Sequence, residues 1–260
     1  MTSGTGGEYF SSQAPARKLP YQSWLLRPHP SPYLCPMPAP TLAATLDHTL
    51  LRPDCTEAQI VQLCQEARQH GFASACVPPC YVPVAARELS SSGVAVCTVI
   101  GFPLGYNSPR VKFREAEIAL AEGATELDMV LNVSALKSGN LDAVKAEVED
   151  LADLCDVNDA LLKVIIETAL LTEAELETAA RLCAEAGAAF VKTSTGFASR
   201  GASVADVVLL RRVLPPEVRI KASGGIRTRE QAQALLAAGA DRIGTSNSLV
   251  IIANDDATPA

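Results

Sequence analysis

Three lysines sit inside runs that are otherwise apolar or β-branched. Lys163 lies in Leu161-Leu162-Lys163-Val164-Ile165, Lys192 in Phe190-Val191-Lys192-Thr193-Ser194-Thr195-Gly196, and Lys221 in Arg219-Ile220-Lys221-Ala222-Ser223-Gly224-Gly225. Strand side chains alternate between faces, so each lysine is sent to one face and its neighbours to the other. Neither face of a covered strand welcomes an unpaired ammonium. One such lysine reads as a structural ion-pair partner; three do not. Lys192 and Lys221 fall on consecutive strands at similar depths. Two ammonium groups about 4 Å apart repel by about 4 kcal/mol at an effective dielectric near 20. That repulsion favours the neutral amine on one of them near physiological pH, the form that attacks a carbonyl carbon.

Asp128 places a carboxylate in the same setting, within Glu126-Leu127-Asp128-Met129-Val130-Leu131. Aspartate is poor in strands and costly when buried unpaired. Two readings overlap here: an acid paired with Lys163 or Lys192, and a proton shuttle that dehydrates a carbinolamine. Asp47 in the first strand has two readings of nearly equal weight, a partner for a lysine and a purely structural residue. His48 reads as a hydrogen-bonding core histidine, and Cys76 as a packed thiol that could also line a pocket. A distributed signal for phosphate comes from Gly196, from Gly224 and Gly225, and from Gly244-Thr245-Ser246-Asn247, which ends one strand and opens the last helix. Bare backbone amides and helix N-termini suit a phosphate dianion.

The elements that must carry these groups are legible as alternating patterns. Eight short apolar runs, 45–51, 74–77, 94–102, 126–131, 161–167, 190–195, 219–223 and 242–245, read as buried parallel strands. Helical patterns lie between them. Three begin at a threonine cap (Thr56, Thr172, Thr228) and end at a glycine (Gly71, Gly187, Gly239). Alternating strands and helices require crossover connections and a parallel sheet. A dinucleotide-binding sheet needs GxGxxG after its first strand, and none is present. The expectation is therefore an α/β fold, a single (β/α)8 TIM barrel over 41–260, with functional groups at strand C-terminal ends. Residues 1–40 are proline-rich and aperiodic and read as a flexible extension, with Met37 a candidate true start.

Composition sets the outer limits. The chain has 260 residues, 48% hydrophobic, with a formal net charge of -7, which suits a large core and argues against a nucleic-acid surface. No apolar run reaches the roughly 18 residues that span a bilayer, and the start lacks a secretory pattern. The eight cysteines are scattered without a CxxC, so free thiols in a reducing cytoplasm are expected and no metal site is.

The segments Leu46-Asp47-His48-Thr49, Gly101-Phe102-Pro103-Leu104-Gly105, Glu126-Leu127-Asp128, Lys163-Val164-Ile165-Ile166-Glu167-Thr168, Lys192-Thr193-Ser194-Thr195-Gly196 and Lys221-Ala222-Ser223-Gly224-Gly225-Ile226-Arg227 occur in that order. From about residue 42 to 252 the chain resembles the deoxyribose-phosphate aldolases, a class I aldolase family. The resemblance implies reversible cleavage of 2-deoxy-D-ribose 5-phosphate to D-glyceraldehyde 3-phosphate and acetaldehyde, in deoxyribose catabolism, without metal or other cofactor. It implies Lys192 as the Schiff-base lysine, Lys221 as the second lysine and Asp128 as the acid/base. Asp47, Cys76, Thr195, Gly196, Gly224, Gly225, Ser246 and Asn247 are the implied substrate-binding positions. Partners would be small sugar phosphates and aldehydes, with no nucleic acid or membrane, and homo-oligomers are expected.

Three departures stand out. Phe197 occupies a position where some members carry a lysine, and the following loop, Ala198-Ser199-Arg200-Gly201-Ala202, replaces a more glycine-rich version, with Arg200 a candidate replacement for the missing charge. The chain ends Asp255-Asp256-Ala257-Thr258-Pro259-Ala260 rather than in a tyrosine that assists proton transfer in some members. The competing readings are a sugar-phosphate isomerase or synthase without a Schiff base, a silent phosphate-binding barrel, and a pyridoxal-phosphate carrier, which would form a coloured imine. Deleting residues 1–40 is expected to leave activity intact; comparing full-length and truncated chains tests this, and a large loss would give the extension a role.

Overall fold

A computed structural model describes residues 41–253. The expectations for residues 1–40 and for the chain end at 255–260 lie outside these residues. Eight strands alternate with helices: β1 (Leu46–Thr49), α1 (Glu57–His70), β2 (Ser74–Val77), α2 (Val82–Leu89), β3 (Ala95–Ile100), α3 (Pro109–Ala121), β4 (Glu126–Val130), α4 (Val133–Lys137), α5 (Leu141–Val157), β5 (Leu161–Ile165), α6 (Glu173–Glu185), β6 (Phe190–Lys192), α7 (Val204–Val213), β7 (Arg219–Ser223), α8 (Arg229–Ala237), β8 (Arg242–Thr245) and α9 (Ser248–Ile252). The strands are all parallel and close in chain order, β8 pairing back to β1. This is the expected (β/α)8 barrel.

Local signals account for the helix ends. Thr56, Thr172 and Thr228 each form a capping box with Gln59, Glu175 and Gln231 respectively. Gly71 ends α1 in the left-handed conformation, with φ of +64°. Strand ends were harder to place. Within the run at 190–195 the strand ends at Lys192; beyond it the chain starts to turn out of the ladder, and side chains join the backbone in holding it to the end of β7. Thr193 Oγ accepts from the Ser223 amide at 3.2 Å, and Ser223 Oγ donates to the Ser194 carbonyl at 2.6 Å. Alternation in composition continues through such a turn although the ladder does not. The last helix is a single short turn that begins only at Ser248.

Register decides which side chains enter the barrel. Leu127, Leu162, Val164, Val191 and Ile220 point outward into the apolar layer beneath the helices. The opposite set points inward, in three successive levels drawn from alternate strands. Of these levels Ser74, Glu126, Phe190 and Arg242 lie lowest; Asp47, Cys97, Lys163 and Lys221 come next; Cys76, Asp128, Lys192 and Gly244 lie above them, one step below Thr49, Val99, Ile165 and Ser223 at the strand C-termini. A barrel interior that is usually filled by branched apolar residues is here built largely from charges.

A second buried charge pair lies outside the barrel wall. The Lys112 stem of α3 packs on Gly101, where an added Cβ would stand 2.8 Å from Lys112 Cε. Its Nζ donates to the Val130 carbonyl at 2.8 Å and to Glu147 Oε2 of α5 at 2.9 Å. Burial pushes the ammonium of Lys112 down and the carboxyl of Glu147 up, in each case against the pull of the partner. Removing one partner strands the other, whereas replacing both need cost little. Lys112→Ala is expected to lower stability by about 3–5 kcal/mol, and Lys112→Met with Glu147→Leu to recover most of it. A carboxyl whose folded pKa is raised loses stability as pH climbs above its unfolded value. The Lys112→Ala defect should therefore be larger at pH 8 than at pH 5 in denaturant titrations.

Candidate active site

Asp128 of β4 is the meeting point of three lysines. Its Oδ1 accepts from Lys163 Nζ at 2.8 Å, and its Oδ2 accepts from Lys192 Nζ at 2.8 Å and Lys221 Nζ at 2.6 Å. Lys192 and Lys221 are register partners on β6 and β7, so both ammonium groups reach the same oxygen. The network continues on both sides. Lys163 pairs with Glu126 at 2.7 Å, Lys221 pairs with Asp47 at 2.5 Å, and Arg242 joins Asp47 to Glu126. The result is a closed ring of alternating sign, Asp128–Lys221–Asp47–Arg242–Glu126–Lys163, with Lys192 attached to it at Asp128. Three carboxylates face four cations, and Lys192 is the cation without a second acid.

Burial alone would raise the carboxyls and lower the lysines. Neighbouring charge overrides it. Burial raises Asp128, but Lys163, Lys192 and Lys221 hold it well below the usual carboxylate range. Burial likewise raises Asp47, which Lys221 and Arg242 then hold far down. Burial lowers Lys221 and Lys163 and is the largest single influence on each, but the summed pull of Asp128 and Asp47 on Lys221, and of Asp128, Cys97 and Glu126 on Lys163, outweighs it, so both stay well above the usual lysine value.

A cavity of about 480 Å³ opens at the C-terminal ends of the strands, where barrel sites are expected. Lys192, 3% exposed, is the member of the charged cluster that reaches its wall. Thr195, Gly196 and Phe197 line it from the loop after β6, Gly224, Gly225 and Arg227 from the loop after β7, Ser246 and Asn247 from that after β8, and Arg52 from that after β1. The glycines permit close backbone approach. A Cβ at Gly201 would stand 1.9 Å from the Gly224 carbonyl, and one at Gly224 3.3 Å from Gly196 Cα. The loops after β6 and β7 thus touch backbone to backbone.

Most sequence-derived candidates converge here. Asp47 and Cys76 do not reach the cavity wall. Asp47 is held one level lower between Lys221 and Arg242, and Cys76 is enclosed with Cys97 and Val99 beneath Leu51 and Phe102. Arg200 turns away: it pairs with Asp206 at 2.5 Å and donates to the Thr168 carbonyl at 3.0 Å, so it does not replace a cavity cation. His48 bonds Ser248 and Glu66, as a structural histidine would. Cys76, Cys97 and Asp128 bring potential metal-ligand atoms within 4.8 Å of one another, but Asp128 is already occupied by three ammonium groups that oppose a cation. Sequence reasoning missed Glu126, Arg242 and Cys97 in the interior and Arg52 and Arg227 in the cavity. Glu126 stands two residues before Asp128, and Arg242 two before Gly244, so strict alternation could have found both.

Residues 41–249 match the family described as DeoC/LacD family aldolase. The chain belongs to this aldolase family. It is 51% identical over 211 residues to a deoxyribose-phosphate aldolase of a Geobacillus species, covering 81% of this chain and 94% of that one. It is 47% identical over 218 residues to the Bacillus subtilis deoxyribose-phosphate aldolase, covering 84% and 97%. The structure of a tetrameric deoxyribose phosphate aldolase from Aeropyrum pernix superposes with a TM-score of 0.78 at 37% identity, covering 83% of this chain and 91% of that one.

Gly244 is the inward position of β8 in this aldolase, and its missing side chain makes room for Lys221. An added Cβ would stand 3.0 Å from Lys221 Cε and 2.9 Å from Ser223 Cβ. Lys221 cannot swing aside without leaving Asp128 and Asp47. Gly244→Ala is expected to lower kcat at least about tenfold with the fold retained, since it displaces the ammonium that holds Asp128 beside Lys192 and small displacements in an enzyme's site are costly. Steady-state kinetics alongside circular dichroism checks it.

Proposed function

We propose that this protein is a class I aldolase that reversibly cleaves 2-deoxy-D-ribose 5-phosphate to D-glyceraldehyde 3-phosphate and acetaldehyde, acting in deoxyribose catabolism. The observation that carries this reading is Lys192, a buried amine that opens onto the cavity while hydrogen-bonded to a carboxylate at 2.8 Å. The family's curated relatives bear the corresponding name.

Lys192 Nζ, as the free amine, attacks C1 of the open-chain aldehyde and forms a carbinolamine. Asp128 is within reach of that nitrogen and carries the protons needed to expel water, leaving a protonated imine. The C3 hydroxyl then gives its proton to the Asp128 carboxylate, C3 becomes the carbonyl of glyceraldehyde 3-phosphate, and the C2–C3 bond electrons pass into the iminium to give a neutral enamine, which the same proton can later reach at C2. Protonation at C2 and hydrolysis release acetaldehyde and restore Lys192. The three lysines hold Asp128 as a carboxylate, and Lys221, on the same oxygen, can exchange protons with it. Because the cluster carries one excess cation, converting Lys192 to the amine leaves its charges balanced.

The phosphate is read as seated among Gly196, Gly224, Gly225, Ser246 and Asn247, with Thr195 beside them and Arg52 and Arg227 as cations on the same wall. Phe197, edge-on to Phe102 at 5.3 Å between centroids, gives that wall an apolar edge where some relatives have a lysine. Asp47 and Cys76 act on this reading through their neighbours rather than by touching substrate. A cytoplasmic homo-oligomer belongs to the same reading. It is supported by the tetrameric relative and by the absence of disulfides among the described residues. No helix among those residues is long and apolar enough to cross a membrane.

Incubation with acetaldehyde and sodium borohydride, followed by peptide mass spectrometry, is expected to place an ethyl group on Lys192. Lys192→Ala should abolish both trapping and turnover. No adduct on folded protein would favour a phosphate-binding barrel without imine chemistry. Lys221→Leu deprives Asp128 and Asp47 of a counter-charge, and the added negative potential favours the ammonium form at Lys192. Its activity optimum should move to higher pH, and an unchanged profile would refute the paired-lysine account.

A further inference from the structure

Glu167 occupies an unusual place just beyond β5. Its backbone is left-handed, with φ of 52° and ψ of 69°, a conformation that a residue with a Cβ adopts at a cost. The cause is a bulge. The Ile166 amide donates to the Lys192 carbonyl at 3.0 Å, and the Thr168 amide to the next carbonyl, that of Thr193, at 2.9 Å. Two amides two residues apart meet two consecutive acceptors, so Glu167, between them, is the extra residue. Bulges near active sites commonly re-aim a side chain. Here the carboxyl group is turned inward and is 4% exposed. Its Oε2 accepts from the Thr195 hydroxyl at 2.5 Å and the Thr195 amide at 3.2 Å, while its buried Oε1 has no hydrogen-bond partner. Strained backbone and an unpaired buried oxygen both oppose stability, which points to a functional reason for the residue.

The contacts lead towards the cavity. Once Thr195 Oγ donates to Glu167, its free lone pairs face the turn, and it accepts the Phe197 amide at 3.0 Å. That bond closes the turn around Gly196, whose φ is +88°. Gly196 and Gly201 pack against Gly224, and the Ala202 amide donates to the Ser223 carbonyl at 3.0 Å. The far end of the same loop is tied to the residue after Glu167: Arg200 donates to the Thr168 carbonyl, and the Thr168 hydroxyl to Asp206 at 2.9 Å. The bulge therefore grips the loop after β6 at both ends, and that loop supports the turn after β7.

We infer that Glu167 is a positioning residue which, through Thr195, sets the part of the cavity that takes the substrate's phosphate. It does not reach the cavity wall and is not a catalytic acid. This inference rests on the proposed sugar-phosphate aldolase reading. The test compares Glu167→Ala and Glu167→Gln with the parent chain on 2-deoxyribose 5-phosphate and on unphosphorylated 2-deoxyribose. It is accompanied by acetaldehyde–borohydride trapping and by hydrogen exchange of the amides at 195–203. Glu167→Ala is expected to raise KM for the phosphorylated sugar at least about tenfold, leaving trapping at Lys192 and the KM and kcat for the unphosphorylated sugar within about threefold. Amide exchange of Thr195 and Phe197 should quicken. Glu167→Gln, whose amide oxygen can still accept from Thr195, should recover most of the affinity. An equal fall on both sugars, or no change in KM and exchange, would overturn the inference. If the parent chain cleaves neither sugar, the functional reading fails, yet exchange in the Glu167→Gln and Glu167→Ala chains still decides whether the carboxyl holds the loop.

Discussion

A carboxylate at the centre of a barrel is shut off from bulk solvent, and Asp128 is held there by three ammonium groups that reach it from three other strands. Each of those cations is itself costly to bury and requires an acid of its own, which Lys163 finds in Glu126 and Lys221 in Asp47. Arg242 closes the circuit between these two acids. The fold's interior is thus a single electrostatic object in which no member can be removed without stranding another. Lys192 has the least commitment to it, and it is also the one that faces the cavity.

The barrel supplies this object with fixed geometry. Parallel strands in unbroken register place Lys192 opposite Lys221, and alternation keeps the apolar partners of each charge outside, under the helices. Function then lies in the loops, as barrels generally arrange it. The loops after β6 and β7 are built to be thin. Glycines at 196, 201 and 224 let backbone lie on backbone. The loop after β5 has no position on the cavity wall but sets the path of its neighbour.

Much of this was visible in the residues themselves. Lysines and an aspartate among Val, Ile and Leu announce their own cost, and helix ends are marked by a threonine and a glycine at the right separation. The fold class and the three central charges follow from such local signals. What was hidden depends on distance in space. Arg200 looks free in a loop, and only the fold brings Asp206 and Thr168 to it. Asp47 and Cys76 lie in the correct strands but one step from the cavity, a matter of depth that alternation cannot report. Glu167 reads as the polar end of an apolar run, since a bulge leaves no trace in composition.

The ring of alternating charge also bears on how the chain is made. Its acids come early in the chain, at 47, 126 and 128, whereas, counting the attached Lys192, three of the four cations come late, at 192, 221 and 242. A nascent chain that has emerged only through β5 holds three carboxylates and the single ammonium of Lys163. It therefore cannot dehydrate the barrel interior at acceptable cost. Half-barrels are disfavoured as resting states, and closure awaits the arrival of β8. The same charges that hold Asp128 in the finished barrel disfavour burying the interior before the whole barrel is present.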